Sequence, residues 1–208
     1  MTARWNRSVA VEFANMTRRD VLLKTTLGLS GLAVASSWPA LAACTRTEDN
    51  DEGPFYKAGA PERSNLIEPG MSGTPLTITG RVLSMDCEPL AGAVLDVWQA
   101  DASGQYDNQG FTLRGWLQTD KSGAYRLQTI LPKHYKIGGP QGYRPAHVHV
   151  KVRAAGFPSL TTQLYFPDDP YNKVDKLFRP SLIIQPEKVP GGQAANFDFK
   201  LSPEAAKA

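Results

Sequence analysis

Glycine and proline interrupt this chain too often for long helices: 18 Gly and 16 Pro are spread along 208 residues at no fixed period. Proline removes a helix hydrogen bond and glycine is costly to order, so such punctuation favours many short elements joined by turns. Strand-like runs stand at 76–83, 93–98, 116–119, 124–130, 146–153, 160–166, 182–185 and 196–201, separated by Asp-Cys-Glu-Pro, Asp-Lys-Ser-Gly, Gly-Gly-Pro and Pro-Asp-Asp-Pro turns. No segment shows a sustained 3.6-residue period, although 172–178 suits one short helical turn. The pattern predicts an all-β fold: a single β-sandwich of about eight short strands with long connecting loops.

The net charge of +3 is concentrated at the start of the chain. Residues 1–43 hold five Arg or Lys against two acids, and the remainder balances 18 bases with 18 acids. That neutrality excludes the basic footprint of a nucleic-acid partner. Thr17-Arg18-Arg19-Asp20-Val21-Leu22-Leu23-Lys24 precedes an uncharged, weakly apolar stretch ending in Ala40-Leu41-Ala42-Ala43. This reads as an export signal over 1–43 and resembles the twin-arginine type, departing from it at Val21, where Phe is usual. Met16 directly precedes the motif and is an alternative start. Thr25, Thr26, Ser30, Ser36, Ser37 and Pro39 make the stretch too polar for a comfortable membrane span. The expected product is an exported, periplasmic or extracytoplasmic domain, 44–208, with no transmembrane span in its mature form.

Beyond the signal only Cys44 and Cys87 remain, and two cysteines in an oxidising compartment form a disulfide by default. Leu41-Ala42-Ala43-Cys44 also fits a lipoprotein cleavage box, which would anchor the chain by a lipid on Cys44. One sulfur cannot carry both. A Cys44–Cys87 bridge, with cleavage after Ala42, is the expectation; the lipid is the alternative.

Gly80-Arg81-Val82, Pro89-Leu90-Ala91-Gly92-Ala93 and the run 119–127 resemble the small sandwich modules of transthyretin-like and regulatory carboxypeptidase domains. They speak for the fold alone, so a non-catalytic binding module of the cell envelope is the rival to any enzymatic reading. Chemistry enters with His147-Val148-His149 on the alternating run 146–153. Period two puts both imidazoles on one face, where they suit a metal. The same face continues into Lys151 and Arg153, so a plain solvent-facing polar face is the other reading.

Tyr106, closing the run 98–106, and Tyr135, twelve residues before His147, complete the pattern. With Arg144-Pro145-Ala146-His147 and Thr162-Gln163-Leu164-Tyr165-Phe166, the chain resembles the intradiol ring-cleaving dioxygenases over 53–201, most of all the protocatechuate 3,4-dioxygenase subunits. The resemblance implies a non-haem Fe(III) cofactor held by Tyr106, Tyr135, His147 and His149. It implies a catecholic substrate and O2, with ring cleavage to a muconate-type diacid that retains both oxygen atoms. A catecholate would displace the hydroxide and one tyrosinate; Tyr135 counts among the catalytic residues with Arg144, which would face developing negative charge, and Gln163, which would orient substrate or water. Pro54, Phe55 and Tyr56 match the early loop that approaches the substrate. A homo-oligomer is compatible with the family.

The donor set itself points the same way. Phenolate is a hard oxygen donor and imidazole a borderline one, a combination suited to ferric iron. Two phenolates and a hydroxide offset a 3+ charge, so the centre can be buried as a neutral unit. His134, next to Tyr135, is expected to face solvent, and Trp98 to lie in the core.

Overall fold

A computed structural model describes residues 44–137 and 142–203; the expected export segment and the Gly-Gly-Pro turn at 138–140 lie outside them. Eleven strands follow in chain order: β1 (Pro75–Ser84), β2 (Val94–Gln99), β3 (Arg114–Gln118), β4 (Ala124–Ile130), β5 (Tyr135–Lys136), β6 (Tyr143–Arg144), β7 (His147–Arg153), β8 (Leu160–Tyr165), β9 (Glu187–Val189), β10 (Gly192–Asn196) and β11 (Phe199–Leu201). Among the described residues no helix is long and apolar enough to cross a membrane. The turn-rich sequence therefore folds as an all-β sandwich.

One sheet has β1 at its centre, antiparallel to β4 on one side and parallel to β10 and then β11 on the other, with β9 flanking β10. The second is antiparallel in the order β3-β2-β7-β8. β5 and β6 form a separate ribbon. Alternation supplies the core between the sheets: Leu76, Ile78 and Val82 of β1 and Leu127 of β4 join Leu95 and Val97 of β2 and Val148, Val150 and Val152 of β7. Each such side chain contributes about 1.5–3 kcal/mol by leaving water. At one end of the core Gln99 ties the sheets together, donating to the Ile130 carbonyl at 3.0 Å and accepting from Thr129 Oγ1 at 2.8 Å.

Two expected strands turn out differently. The run 182–185 is not a strand: Pro180–Leu182 forms a 3-10 turn and Ile183 makes only an isolated bridge to Tyr165. Pro180 and Pro186 bracket the run and deny it donors at both ends. The run 196–201 divides into β10 and β11 around Phe197 and Asp198. There the Phe197 N–H donates to the Thr79 carbonyl (2.9 Å), the Phe197 carbonyl accepts from Tyr125 Oη (2.8 Å), and Asp198 Oδ1 accepts from the Arg81 N–H (2.8 Å). The segment 172–178 contributes turns, with the Asp175 N–H reaching the Tyr171 carbonyl at 3.1 Å.

Ahead of β1 the chain runs as a strap along the sandwich edge. The Thr47 N–H donates to the Lys200 carbonyl (3.0 Å), Thr162 Oγ1 donates to the Glu48 carbonyl (2.8 Å), and the Asn50 N–H donates to the Thr161 carbonyl (2.7 Å). A disulfide joins Cys44 to Cys87, with Cα atoms 5.6 Å apart, so the strap is fastened at its start to the turn after β1.

The division between β10 and β11 depends on Gly80. A Cβ at that position would lie 1.9 Å from the Phe197 carbonyl oxygen and 2.7 Å from its carbon, both backbone atoms that cannot step aside. Gly80→Ala is expected to lower stability by about 1–3 kcal/mol, as overpacking does. A urea midpoint unchanged from wild type would contradict this placement.

Candidate active site

The register of the second sheet lines up a row of polar side chains across its outer face. Arg114 of β3 pairs with Trp98 of β2, Trp98 with His149 of β7, and His149 with Gln163 of β8. In the next row His147 pairs with Tyr165. A sandwich's outer face normally meets water, yet these six residues are buried. Along β7 the burial fades from His147 and His149 to a half-buried Lys151 and an exposed Arg153. The polar-face reading thus holds only for the far end of the strand, because loops cover the histidine end.

One covering loop carries Tyr106, which lies beyond β2 rather than on it. Asp101 Oδ1 accepts from the Ser103 N–H (2.8 Å), Ser103 Oγ (2.7 Å) and the Gln105 N–H (2.9 Å), closing a tight turn. Gly104 has φ +84°, and a Cβ there would stand 2.5 Å from the His134 carbonyl oxygen. Glycine thus lets the turn press against the backbone that carries Tyr135, and the rings of Tyr106 and Tyr135 meet edge to face at 5.2 Å. Past Tyr106, Asp107 accepts from the N–H groups of Gly110, Thr112 and Gln109, which hold its carboxyl below the usual range. The same Asp-x-Ser-Gly-x-Tyr pattern recurs at 120–125 with the same three bonds to Asp120 Oδ1.

The four sequence-selected donors therefore converge. His147 and His149 face each other with Nε2 atoms 3.1 Å apart, Tyr135 packs on His147 with ring centroids at 5.5 Å, and Tyr106 stands 6.3 Å from His149. His147 Nδ1 lies 2.7 Å from the Pro145 carbonyl. A carbonyl only accepts, so Nδ1 carries the proton and Nε2 keeps its lone pair. Burial pushes the His147 imidazolium down to about 3, with the Arg144 guanidinium adding to it, and pushes His149 well below its ordinary value. Burial first, and then the neighbouring Tyr135, raise the Tyr106 phenol well above its usual range; burial raises Tyr135 as well. The cluster is thus uncharged at neutral pH.

Two neutral imidazoles and two phenols, the Tyr106 hydroxyl buried without a hydrogen-bond partner, fit a cation. Ionisation of the phenols would supply the compensating charge, and dry surroundings would strengthen the attraction. Among the described residues no group of three or more His, Cys, Asp or Glu is placed to hold a metal, so a centre here needs its tyrosines.

Beside the quartet lies Arg144, buried and held from three sides. Nε and Nη2 donate to Asp175 Oδ2 (3.0 and 2.9 Å), Nη2 also donates to Gln163 Oε1 (2.7 Å) and Tyr165 Oη (3.2 Å), and Nη1 approaches His147 Nε2 at 3.4 Å. Burial works against the Arg144 charge, but Tyr135, Tyr165 and Asp175 outweigh it and raise its pKa. Gln163 Nε2 donates to the Asp51 carbonyl of the strap at 2.6 Å.

The early loop divides. Gly53 lies over His149, and Phe55 stacks on Tyr106 at 4.2 Å and 6°. Pro54 is exposed. Tyr56 turns away from the quartet: its hydroxyl donates to Asp96 (2.9 Å), its ring meets the edge of Trp98 (4.9 Å), and Lys151 Nζ sits 3.9 Å above it. Trp98 is core-like in burial but stacks on His149 at 4.6 Å and 7°, fixing that ring's plane. His134 does not face open solvent; it is half-buried against Tyr143 and Tyr171.

Sequence reasoning missed three residues. Arg114 is buried with Nη1 on the Phe55 carbonyl (2.6 Å), Nε on the Asp107 carbonyl (3.1 Å) and its guanidinium 5.9 Å from the Tyr106 ring centre. Asp175 comes from a turn with no distinguishing pattern, and Asn50 reaches Tyr165 Oη (3.2 Å) from the strap. Tyr165 was legible, since it shares the face of Gln163 two residues earlier.

Comparison with known proteins agrees with this geometry. Residues 51–203 match the family described as Dioxygenase. The 6-chlorohydroxyquinol 1,2-dioxygenase of Cupriavidus pinatubonensis (strain JMP 134 / LMG 1197) is 36% identical over 205 residues, covering 88% of this chain and 74% of the relative. The hydroxyquinol 1,2-dioxygenase of Rhizobium sp. (strain MTP-10005) is 37% identical over 208 residues, covering 88% and 70%. Among solved structures, the dioxygenase domain of a dioxygenase–carbohydrate-binding protein fusion from the cellulolytic bacterium Streptomyces sp. SirexAA-E superposes with a TM-score of 0.70 at 43% identity, covering 76% of this chain and 99% of that one. The 3-chlorocatechol 1,2-dioxygenase of Rhodococcus opacus 1CP gives 0.71 at 31% identity, covering 75% and 72%. Three of these four relatives are named as hydroxyquinol or catechol 1,2-dioxygenases and the fourth as a dioxygenase domain, which sets aside a non-catalytic binding module. With a family match across the sandwich and relatives of this identity and coverage, the chain belongs to the intradiol ring-cleaving dioxygenases.

Proposed function

We propose that this chain is an exported, non-haem Fe(III) enzyme that uses O2 to cleave a catecholic ring between its two hydroxyl-bearing carbons, giving a muconate-type diacid. The observation that carries the proposal is the convergence of the facing His147 and His149 Nε2 atoms with the Tyr106 and Tyr135 phenols beside a buried Arg144. In this reading Tyr106, Tyr135, His147 and His149 hold the iron. Bound there, ferric iron would act as a Lewis acid, drawing electron density from a chelated catecholate and priming its ring for O2. The names of the relatives support an ortho-diphenol as substrate class.

The protein's own groups supply the rest. Pro145 orients His147 through Nδ1, and Trp98 fixes the ring plane of His149. Burial raises both phenols and the Arg144 charge opposes both rises; a hydrogen bond from Arg144 adds to that at Tyr135, which in this reading exchanges a proton with the incoming diphenol. Arg144 presents a fixed positive charge to negative charge developing on the ring, without reorganisation at the moment of reaction. Gln163 is pinned by Asp51 and Arg144, so it is a rigid acceptor and donor next to His149. Phe55 offers an apolar wall against Tyr106 that keeps water from the cluster.

Export through a twin-arginine-type signal belongs to the same proposal. Such a route carries folded proteins, and a Cys44–Cys87 bridge suits an oxidising destination. The mature chain is expected to gain two protons in intact mass on reduction; a diacylglyceryl adduct on Cys44 would instead establish a lipid anchor.

Purified protein should bind about one iron and show a visible tyrosinate-to-ferric charge-transfer band, which Zn2+, being d10, cannot produce. Tyr106→Phe and Tyr135→Phe should each alter the band, while His134→Ala leaves it in place. Stoichiometric iron without colour would remove the ligand assignment. Arg144→Ala is expected to retain iron and lose about 3 to 4 kcal/mol of transition-state stabilisation, read as a drop in kcat of roughly 150- to 1,000-fold. Cleavage in 18O2 should place both labelled atoms in one product molecule; cleavage beside rather than between the hydroxyl-bearing carbons would contradict the reaction.

A further inference from the structure

Arg144 can serve the site through only one edge of its guanidinium, and the choice of edge is made by a residue from a distant turn. We propose that Asp175 is a positioning residue for ring cleavage, clamping Arg144 so that Nη1 alone faces the histidine cluster; this rests on the reading of the site as an intradiol centre.

The Asp175 carboxylate is committed at both oxygens. Oδ2 accepts from Arg144 Nε and Nη2, and Oδ1 accepts from the Leu177 N–H at 2.9 Å. The carboxylate therefore cannot rotate without breaking its own turn. That turn is itself fixed to the sandwich, since the Leu177 carbonyl accepts from Tyr165 Oη (3.0 Å) and from Asn50 Nδ2 of the strap (2.8 Å). The side chains of Arg144 and Asp175 are only 9% and 3% exposed, so water screens the pair little and offers no substitute partner.

A purely structural ion pair would be indifferent to which nitrogen is left over. Here Nε and Nη2 are saturated by Asp175, Gln163 and Tyr165, and the contact of Nη1 is a long one, 3.4 Å to His147 Nε2. With His147 Nδ1 bearing the proton, that contact uses the Nε2 lone pair as acceptor. A cation on Nε2 would take the lone pair and leave Nη1 free to donate to an oxygen of the bound ring. Loss of the clamp would let the guanidinium swing by an ångström or so, enough to cost about 10- to 100-fold in rate without removing any group that touches iron.

The test uses iron-loaded Asp175→Asn and Asp175→Ala, the former nearly isosteric in case the latter fails to fold. Three quantities are measured: kcat on catechol, Kd for catechol from anaerobic titration of the visible band, and the crystallographic position of the Arg144 side chain. The expected result is a kcat lower by about 10- to 100-fold, a Kd within about threefold of wild type, retained iron and colour, and Arg144 Nη1 displaced from His147. An Arg144 that stays in place, or one that moves without a fall in kcat, would overturn the proposal, as would loss of iron in step with loss of activity. Wild-type protein that cleaves no catechol would refute the proposed function instead, and the position of Arg144 in Asp175→Asn would still decide whether the clamp exists.

Discussion

The burial of one sheet's outer face is the constraint on which the rest of this structure depends. β2, β3, β7 and β8 each present an apolar face to the core, and by alternation the opposite face carries Arg114, Trp98, His147, His149, Gln163 and Tyr165. Left in water, these groups would be a solvated surface. Covered by the strap, the 101–107 loop, the β5–β6 ribbon and the 171–178 turn, they become a dry cluster whose protonation is set by burial. The cover itself is held by backbone and side-chain bonds at residues 47, 48, 50 and 51 and by the Cys44–Cys87 bridge. A bridge of this kind is typically worth about 2–4 kcal/mol.

Electrostatic balance depends on that cover. Two guanidinium groups are buried next to two imidazoles that stay neutral and two phenols that stay protonated in the absence of a cation. Arg144 keeps its charge through Asp175, whereas Arg114 is satisfied by the Phe55 and Asp107 carbonyls. Both guanidinium groups are thus held in place beside the quartet, Arg144 by an ion pair and Arg114 by two carbonyls. In the proposed reaction a catecholate entering the site would meet fixed charge that no solvent reorganisation must supply.

Much of this was legible in the sequence because it rests on local rules. The alternation of 146–153 places His147 and His149 together on one face, and the apolar residues between them enter the core. The failures also have physical causes. The run 182–185 has strand-like residues, but its flanking prolines leave it a 3-10 turn and a single bridge. Phe55 and Tyr56 are adjacent in sequence, yet the chain turns at 54–55, so Phe55 stacks on Tyr106 while Asp96 takes the Tyr56 hydroxyl. Asp175 and Asn50 carried no pattern at all, since their importance lies in partners 31 and 115 residues away.

The two Asp-x-Ser-Gly-x-Tyr segments mark the boundary most clearly. In both, the sequence alone determines the turn: the Asp carboxylate gathers the Ser N–H, the Ser hydroxyl and the N–H of the residue before the Tyr, and the Gly takes a positive φ. The two tyrosines then meet different fates. Tyr125 continues into β4 and spends its hydroxyl on the Phe197 carbonyl, sealing the junction of β10 and β11. Tyr106 leaves β2 behind, is pressed by Gly104 against the backbone of His134, and keeps a buried hydroxyl with no protein partner beside Tyr135 and His149. A six-residue pattern encodes local hydrogen bonds, and those are identical. Whether the tyrosine becomes a structural tie or a candidate ligand depends on which distant backbone lies opposite it, and only the packing of the whole sandwich decides that.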